Sequence, residues 1–550
     1  MTRKSGIKGF ILGAALTAVL TTSFSAYAAP IQKSVSAALS DVKIMLNGQQ
    51  TTLTDSSGNT VEPINYNGTI YLPIRALSKA LGVTAAYDST NSTVKLTSGT
   101  TATADDESTG ADINTDENVP AKPEGDLAPA KPDGDQAPAK PDGTDSGYGT
   151  DAKVEGTGKY TQSGDTVTKS DQTIAATEAD QSAVKVSDSG TLTLTDSTIT
   201  KTGDTSSEDN SNFYGLNAAV LSESGSTVTV KNTSIMTDAD GSNATFSTGE
   251  GSVLNISDST IQTSQDSSRG LDATMTGTVN ATNVKITTAG EHAAAIATDR
   301  GEGTVNVTGG TMNTSGEGSP GIYSTGKITV SGATIKATGS EAVVIEGRNS
   351  ATVKNTSLTG AGTRGVMIYQ SYSGDAEDGT GTFTMTGGSL NATAGPIFYS
   401  TNTDAVINLN NADVTGASGT LLQAQADKWG TTGSNGAIVT LNANNQELSG
   451  NVIGDSLSTI TLKLATDSTW SGALNSDQKL KSATLKLDVT SSWNVTANSY
   501  VTALTDSDTT LANINDNGHT IYYDADNSAN SWLNGKTVTL QDGGKLTPMS

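Results

Sequence analysis

Apolar and polar positions alternate in short runs along most of this chain, and the runs recur. Thr227-Val228-Thr229-Val230-Lys231-Asn232-Thr233-Ser234-Ile235 returns in degenerate form at Val253 to Ile261, Thr304 to Met312, Lys327 to Ile335 and Ala351 to Leu358. Each copy reads as an alternating strand, a polar corner of Asn, Asp, Gly or Ser, and one further apolar residue. The last apolar residue of the strand advances by 26 (230 to 256), 51 (256 to 307), 23 (307 to 330) and 23 (330 to 353). The step of 51 holds two turns, the middle one at Val279 to Ile286. Alternation with period two predicts strands. A repeat in the twenties made of strand and turn, without helix, predicts a solenoid. The expected fold class is therefore mainly β, with a parallel β-helix (solenoid) over residues 153–550.

The repeat widens at Ser206 to Asn212 and at Tyr372 to Gly381, where loops are inserted. Insertions into a repeat gather on one face and carry specificity. After about residue 440 the texture changes: Trp470, Trp493 and Trp532 appear among the strands, with Trp429 just before. These large side chains are expected to form a C-terminal cap from about 440, because a bare terminal rung invites edge pairing. Thr191-Leu192-Thr193-Leu194-Thr195 has the Thr-x-Thr pattern used by ice-binding solenoids. The irregular spacing of the copies argues against a flat Thr lattice, and outward Thr is expected because β-branching suits strands.

Three segments precede the solenoid. Residues 1–28 read as a signal peptide, with basic Arg3, Lys4 and Lys8, an apolar run from Phe10 to Leu20 and the small-x-small site Ala26-Tyr27-Ala28. That run is too short to span a bilayer. Residues 38–98 read as a small α+β unit. It has a strand into Asn47-Gly48, a strand at Gly68 to Pro73, a short helix at Ile74 to Gly82, and a closing hairpin of Ala85 to Asp88 with Thr93 to Leu96. Residues 99–152 form a linker: six of the 12 prolines fall between 120 and 141, a density that favours extended polyproline II.

The formal charge of −25, from 32 basic and 57 acidic residues, argues against nucleic acid or an anionic membrane as partner. The absence of cysteine excludes disulfides, thiolate metal sites, Cys nucleophiles and lipid attachment at a lipobox. Gly544 to Ser550 lacks a sorting pentapeptide with an apolar tail, so any attachment to a cell is expected to be noncovalent. The localisation expected is secreted and extracellular, with noncovalent association to the cell wall.

The 38–98 unit resembles the copper amine oxidase N-terminal-like (stalk) domain of exported bacterial proteins. The residues that carry the resemblance are Asn47-Gly48, Tyr71-Leu72-Pro73-Ile74-Arg75, Ala80-Leu81-Gly82 and Val94-Lys95-Leu96. It implies a spacer or surface-association module, not oxidase chemistry. That chemistry uses three His copper ligands and a Tyr in Asn-Tyr-Asp/Glu, whereas this chain has two His, His292 and His519, and its Asn65-Tyr66-Asn67 lacks the acid. The repeat region resembles secreted adhesin-like right-handed parallel β-helix (pectate-lyase/pertactin-like) proteins of bacteria. The segments that carry this are Ser268 to Thr274, Ala297 to Gly301, Ser319 to Gly326 and Tyr369 to Ala376. The resemblance implies a right-handed coil of fourteen to sixteen turns, a rod of about 70 Å at about 4.8 Å per rung.

Of six arginines, four lie between 269 and 364. Arg300 and Arg348 each stand five residues before a strand Val (Val305, Val353), and Arg269 and Arg364 each precede a Gly. This predicts two stacked pairs on the solenoid surface. The ligand-binding set expected is Arg269, Asp272, His292, Arg300, Glu346, Arg348, Arg364 and Tyr369, with Asp299 nearby. Arg forks beside Tyr suit sugar hydroxyls and uronic acids; ion pairing between rungs is the structural alternative. A lyase on this fold needs clustered acids for calcium and a base at the abstraction point. No compact acidic trio is visible, so no catalytic residue, metal ligand or cofactor is expected. The expected function is a non-enzymatic, adhesin-like β-helix displaying a face to polysaccharide or cell-wall glycan, with homotypic association as a further partner class. The alternatives are a polysaccharide lyase or hydrolase with its site in 269–369, and a structural surface-layer component.

Overall fold

The computed structural model describes residues 153–549 and, before them, the backbone of seven short strands between residues 38 and 98. In that N-terminal unit, Ile44–Leu46 pairs antiparallel with Gln49–Thr51 across the expected Asn47-Gly48 turn. Val83–Asp88 pairs antiparallel with Thr93–Ser98 as the expected closing hairpin. The signal segment, the helix expected at 74–82 and the linker lie outside the described residues.

From residue 157 the chain is a parallel β-solenoid of about 16 turns. Each turn lays down three strands: Val220–Glu223 is followed by Thr227–Lys231 and Ser234–Asp238. The next turn sets Thr245–Thr248, Val253–Ser257 and Thr260–Thr263 beside them, parallel and in register. Val230, Ile256, Ala281, Val307, Val330 and Val353 form one inward column, as the sequence period requires. All six are buried, and they belong to one continuous apolar core running the length of the coil.

The polar corner has a backbone reason. Asn232, Asp258, Asn283, Gly309, Gly332 and Asn355 occupy successive corners with φ between 48° and 67°. Left-handed backbone costs most side chains about 1–2 kcal/mol; Gly escapes the clash, and Asn and Asp offset it with local hydrogen bonds. The corners also tie rung to rung, as Asn283 Nδ2 donates to Asp258 Oδ1 at 3.0 Å. Asn283→Val is expected to cost about 1–2 kcal/mol and Asn283→Gly under about 0.5 kcal/mol, read as shifts of the urea midpoint.

The tryptophans correct the expected cap. Trp470 and Trp493 pair on successive rungs inside the coil, and parallel pairing continues through Thr520–Tyr523 to Lys545–Pro548. Trp429 packs against Tyr369 in a covering loop. Only Trp532, in the 3-10 segment Ser528–Leu533, sits near the end. There the chain doubles back, and the two-residue strand Val538–Thr539 pairs antiparallel with Lys545–Leu546. A strand that short offers little edge for another chain to join.

One wall of the solenoid is a 12-stranded sheet, and from Val220 to Thr401 its strands are buried on both faces. Its outer face is covered by the two expected insertions and by a third segment at 426–436. The first insertion folds as the helix Glu208–Tyr214, with Ser207 as N-cap, Glu208 and Asp209 in its first turn and Gly215 as a left-handed C-cap. A Cβ on Gly215 would lie 2.6 Å from Phe246, so glycine also permits the helix to sit against the sheet.

Candidate functional site

The expected site residues lie mainly on this covered wall. Asp272 points outward from Leu271–Thr274, in the column that holds Phe246 before it and Ala297 and Tyr323 after it. Arg269 places Nε 2.7 Å from Asp299 Oδ2 and 3.8 Å from Asp272 Oδ2. Its Nη1 donates to Asn212 Oδ1 of the covering helix. Arg300 pairs with Asp375 at 3.2 Å, and its guanidinium lies 3.6 Å from the centre of the Phe213 ring. Glu346 Oε2 accepts from both Tyr323 and Tyr369 at 2.8 Å, and its Oε1 accepts from Ser371. Arg269, Asp272, Arg300, Glu346 and Tyr369 are thus brought together, but beneath a cover.

The expectation of two arginine pairs stacked on the surface is corrected. Arg269, Arg300 and Arg364 are buried. Arg348 alone is half-exposed, bonded to Glu302 and Glu377 at 2.6 Å each. Arg300 and Arg348 share no column, since Val353 lies in register with Val307 through Val330, not with Val305. Arg364 pairs with Glu341 at 3.2 Å and lies 4.1 Å from the Tyr399 ring centre, apart from Arg269. His292 stands at a left-handed turn position, and its imidazole pKa is lowered by burial and by Arg269. Sequence reasoning did not count Asn212, Phe213, Tyr323 or Asp375 in the set. Three of these four sit in or beside the insertions, which was the available signal.

Two arginines here face four carboxyl groups, Asp272, Asp299, Glu346 and Asp375, in a dry environment. Burial raises Asp272 well above the usual carboxylate range, with Asp299 adding to the shift and Arg269 opposing it. Burial raises Asp299 to about 6 against the pull of Arg269. Burial also raises Glu346, with the charge of Asp375 contributing. Burial thus favours the neutral form of Asp272, and Asp299 is the carboxylate nearer Arg269. Both oxygens of each of these two aspartates, and Nε of Arg300, lack a well-aligned hydrogen bond. Among the described residues no group of three or more His, Asp or Glu could hold a metal ion, and no helix is long and apolar enough to cross a membrane.

The other walls present a different surface. Thr168, Thr193, Thr229, Asn255, Asn280, Asn306, Thr329, Thr352, Thr384, Asn408 and Asn442 form one unbroken outward column of the long sheet. The asparagines hydrogen-bond along it: Asn280 to Asn255 at 3.0 Å, Asn306 to Asn280 at 3.0 Å and Asn442 to Asn408 at 2.9 Å. The irregular sequence spacing does not disturb this register, because the extra residues lie in loops between strands. Asn280, held between Asn255 and Asn306, keeps one N–H and one lone pair for solvent or ligand.

The profile of the copper amine oxidase N-terminal domain matches residues 45–123, in agreement with the resemblance at the stalk unit and extending past residue 98. No curated protein matches the chain. The chain thus carries a segment matching the copper amine oxidase N-terminal domain ahead of a parallel β-solenoid.

Proposed function

We propose that this is an extracellular, adhesin-like protein, without enzymatic activity, that holds polysaccharide against the outward Thr/Asn face of its solenoid. The observation that carries the reading is the unbroken hydroxyl and amide column on an uncovered wall, beside a wall whose charged groups are shut away. Sugar hydroxyls are matched by fixed amides and hydroxyls that can both donate and accept. The stalk-like unit and the proline-rich segment suit a spacer that carries such a face away from an anchoring surface.

The test is retention of the full chain on a panel of wall and matrix polysaccharides, beside an Asn280→Lys/Asn306→Lys variant. Long side chains at the centre of the face are expected to lower retention at least about tenfold, because they block contact and break the amide ladder. The thermal midpoint should move by no more than about 3 °C, since both positions face outward. Retention of no polysaccharide by the wild type would sink the reading.

A second reading, a polysaccharide hydrolase or lyase, has one observation in its favour: two carboxyl groups, Asp272 and Asp299, flank one guanidinium, with burial raising Asp272 well above the usual range and Asp299 to about 6. Acid and base roles need such a split. It also needs the cover to lift, and new reducing ends or unsaturated products from acidic glycans would support it.

A further inference from the structure

The solenoid ladder parts between the strands Asp413–Gly416 and Glu447–Ser449. Asp413–Gly416 pairs with Ser389–Ala392 on one side, and Glu447–Ser449 pairs with Thr469–Ser471 on the other. The two facing strands belong to different sheets. The rungs stay joined beyond both ends of this opening: Asn411 N donates to Asn444 O at 3.2 Å, and Asn451 N to Gly419 O at 2.8 Å. Between those ties lies an open groove of about 800 Å³, with Val414, Leu448 and Ala412 among its apolar lining.

The cause is one residue and a charge clash. Just past the left-handed corner several rungs carry Ser or Thr in this column, as at Ser197, Thr233, Ser259 and Ser468, and the hydroxyl accepts the preceding rung's N–H. Gln446 occupies that place here. Its Oε1 accepts from Ala412 N at 3.0 Å and its Nε2 donates to Ala412 O. The Oε1 contact does what the hydroxyls do on other rungs, whereas Nε2 takes the Ala412 carbonyl, the acceptor with which the next stretch of ladder begins elsewhere, as Ser234 N to Ser197 O. Asp413 and Glu447 then face each other across the gap with like charge, which disfavours direct pairing. Asp467 adds a third carboxylate to the lining, and no Lys or Arg is present there.

We propose that this opening binds an extended oligosaccharide bearing free amino groups, a chain of amino sugars. The proposal rests on the glycan-binding reading above and gives it a site and a ligand class. Each lip is a strand paired on its far side only, and the carboxylates Asp413, Glu447 and Asp467 complement ammonium groups. A peptide strand does not fit: an inserted strand needs about 4.8 Å on each side, and the lips are pinned one rung apart at both ends. Four residues of open lip span about 13 Å, room for two or three sugar rings lying over the mouth. Uronic acid chains are repelled by the same three charges.

The experiment is calorimetric titration of the full chain with a glucosamine hexamer, its N-acetylated counterpart and an oligogalacturonate. The amino form is expected to bind at least about tenfold more tightly than the N-acetylated form, weakening with salt, with the galacturonate unbound. Asp413→Asn/Glu447→Gln should erase that preference. Gln446→Ser should restore the ladder, close the mouth and abolish binding without lowering the thermal midpoint. Equal binding of amino and N-acetyl forms, or wild-type affinity in Gln446→Ser, would overturn the proposal while leaving the broader reading intact. Preference for a Lys-rich peptide over the amino sugar would also overturn it. If no glycan binds and the Asn280/Asn306 face is equally inert, both readings fall.

Discussion

Trp470→Ala is expected to cost about 4 kcal/mol. Trp470 and Trp493 are fully buried and stack inside the coil with ring centres 5.3 Å apart and planes 6° from parallel. Each indole donates Nε1–H to a backbone carbonyl of the preceding rung, Gly450 O and Gly472 O, both at 2.9 Å. Alanine would leave a cavity, strip Trp493 of its stacking partner and orphan the Gly450 carbonyl. Trp470→Phe keeps most of the packing and loses the donor, so about 1–2 kcal/mol is expected. Because each rung leans only on its neighbours, hydrogen exchange should accelerate first between about 448 and 515. Rungs near 230–300 should keep their protection, and uniform acceleration along the whole coil would contradict this account.

Raising the pH from about 5 to 8 is expected to destabilise the protein, opposite to the usual carboxylate trend. Asp272, Asp299 and Glu346 all have folded pKa values raised by burial, Asp299 to about 6. Above the unfolded carboxylate range of about 4, the unfolded chain releases these protons while the folded chain still holds them. Stability therefore falls as pH climbs from about 4 through 6, and further as Asp272 is forced to ionise. Below about 4 the trend reverses, since Asp488, Asp508 and Asp516 are lowered by hydrogen bonds they accept when charged. The net charge of −25 adds self-repulsion at high pH. A thermal midpoint highest near pH 4 to 5, and lower by roughly 5 °C at pH 8, is the expected profile. Asp272→Asn should flatten it, because the amide stays neutral in place of the protonated acid. Asp299→Asn should not rescue stability, because it removes the charge that meets Arg269. A midpoint that rises steadily from pH 5 to 8 would refute the proton-holding assignment.

The inward columns were legible because their signal is local. Val230, Ile256 and Val307 announce themselves through alternation within five residues and a corner that only Asn, Asp or Gly occupies comfortably. The arginines were legible as a group but not in their placement. Counting back from Val353 to Arg348 and from Val305 to Arg300 slipped the register by two residues, because Val305 lies in register with Ala351 through Ile328. Parity follows from period two, whereas partner identity needs the true register, and that register sets Arg348 against Glu302. Trp470 and Trp493 were misassigned to a cap because a large aromatic fits either an end or a widened interior, and composition does not distinguish them.

By itself, then, the sequence determined the strand-and-corner repeat, the solenoid, the antiparallel hairpin of the stalk unit and the regions where loops interrupt the coil. Tertiary structure alone decided which wall those loops close over. Phe213 reaches Arg300, and Asp375 reaches Arg300 from the other insertion, through contacts 87 and 75 residues apart in the chain. It also decided that the Gln446 side chain takes the Ala412 carbonyl where the ladder is open between Asp413 and Glu447. Periodicity reports how each short segment sits on its own rung. Burial of charge and the parting of rungs depend on what a distant segment brings to that rung, and no local pattern encodes that.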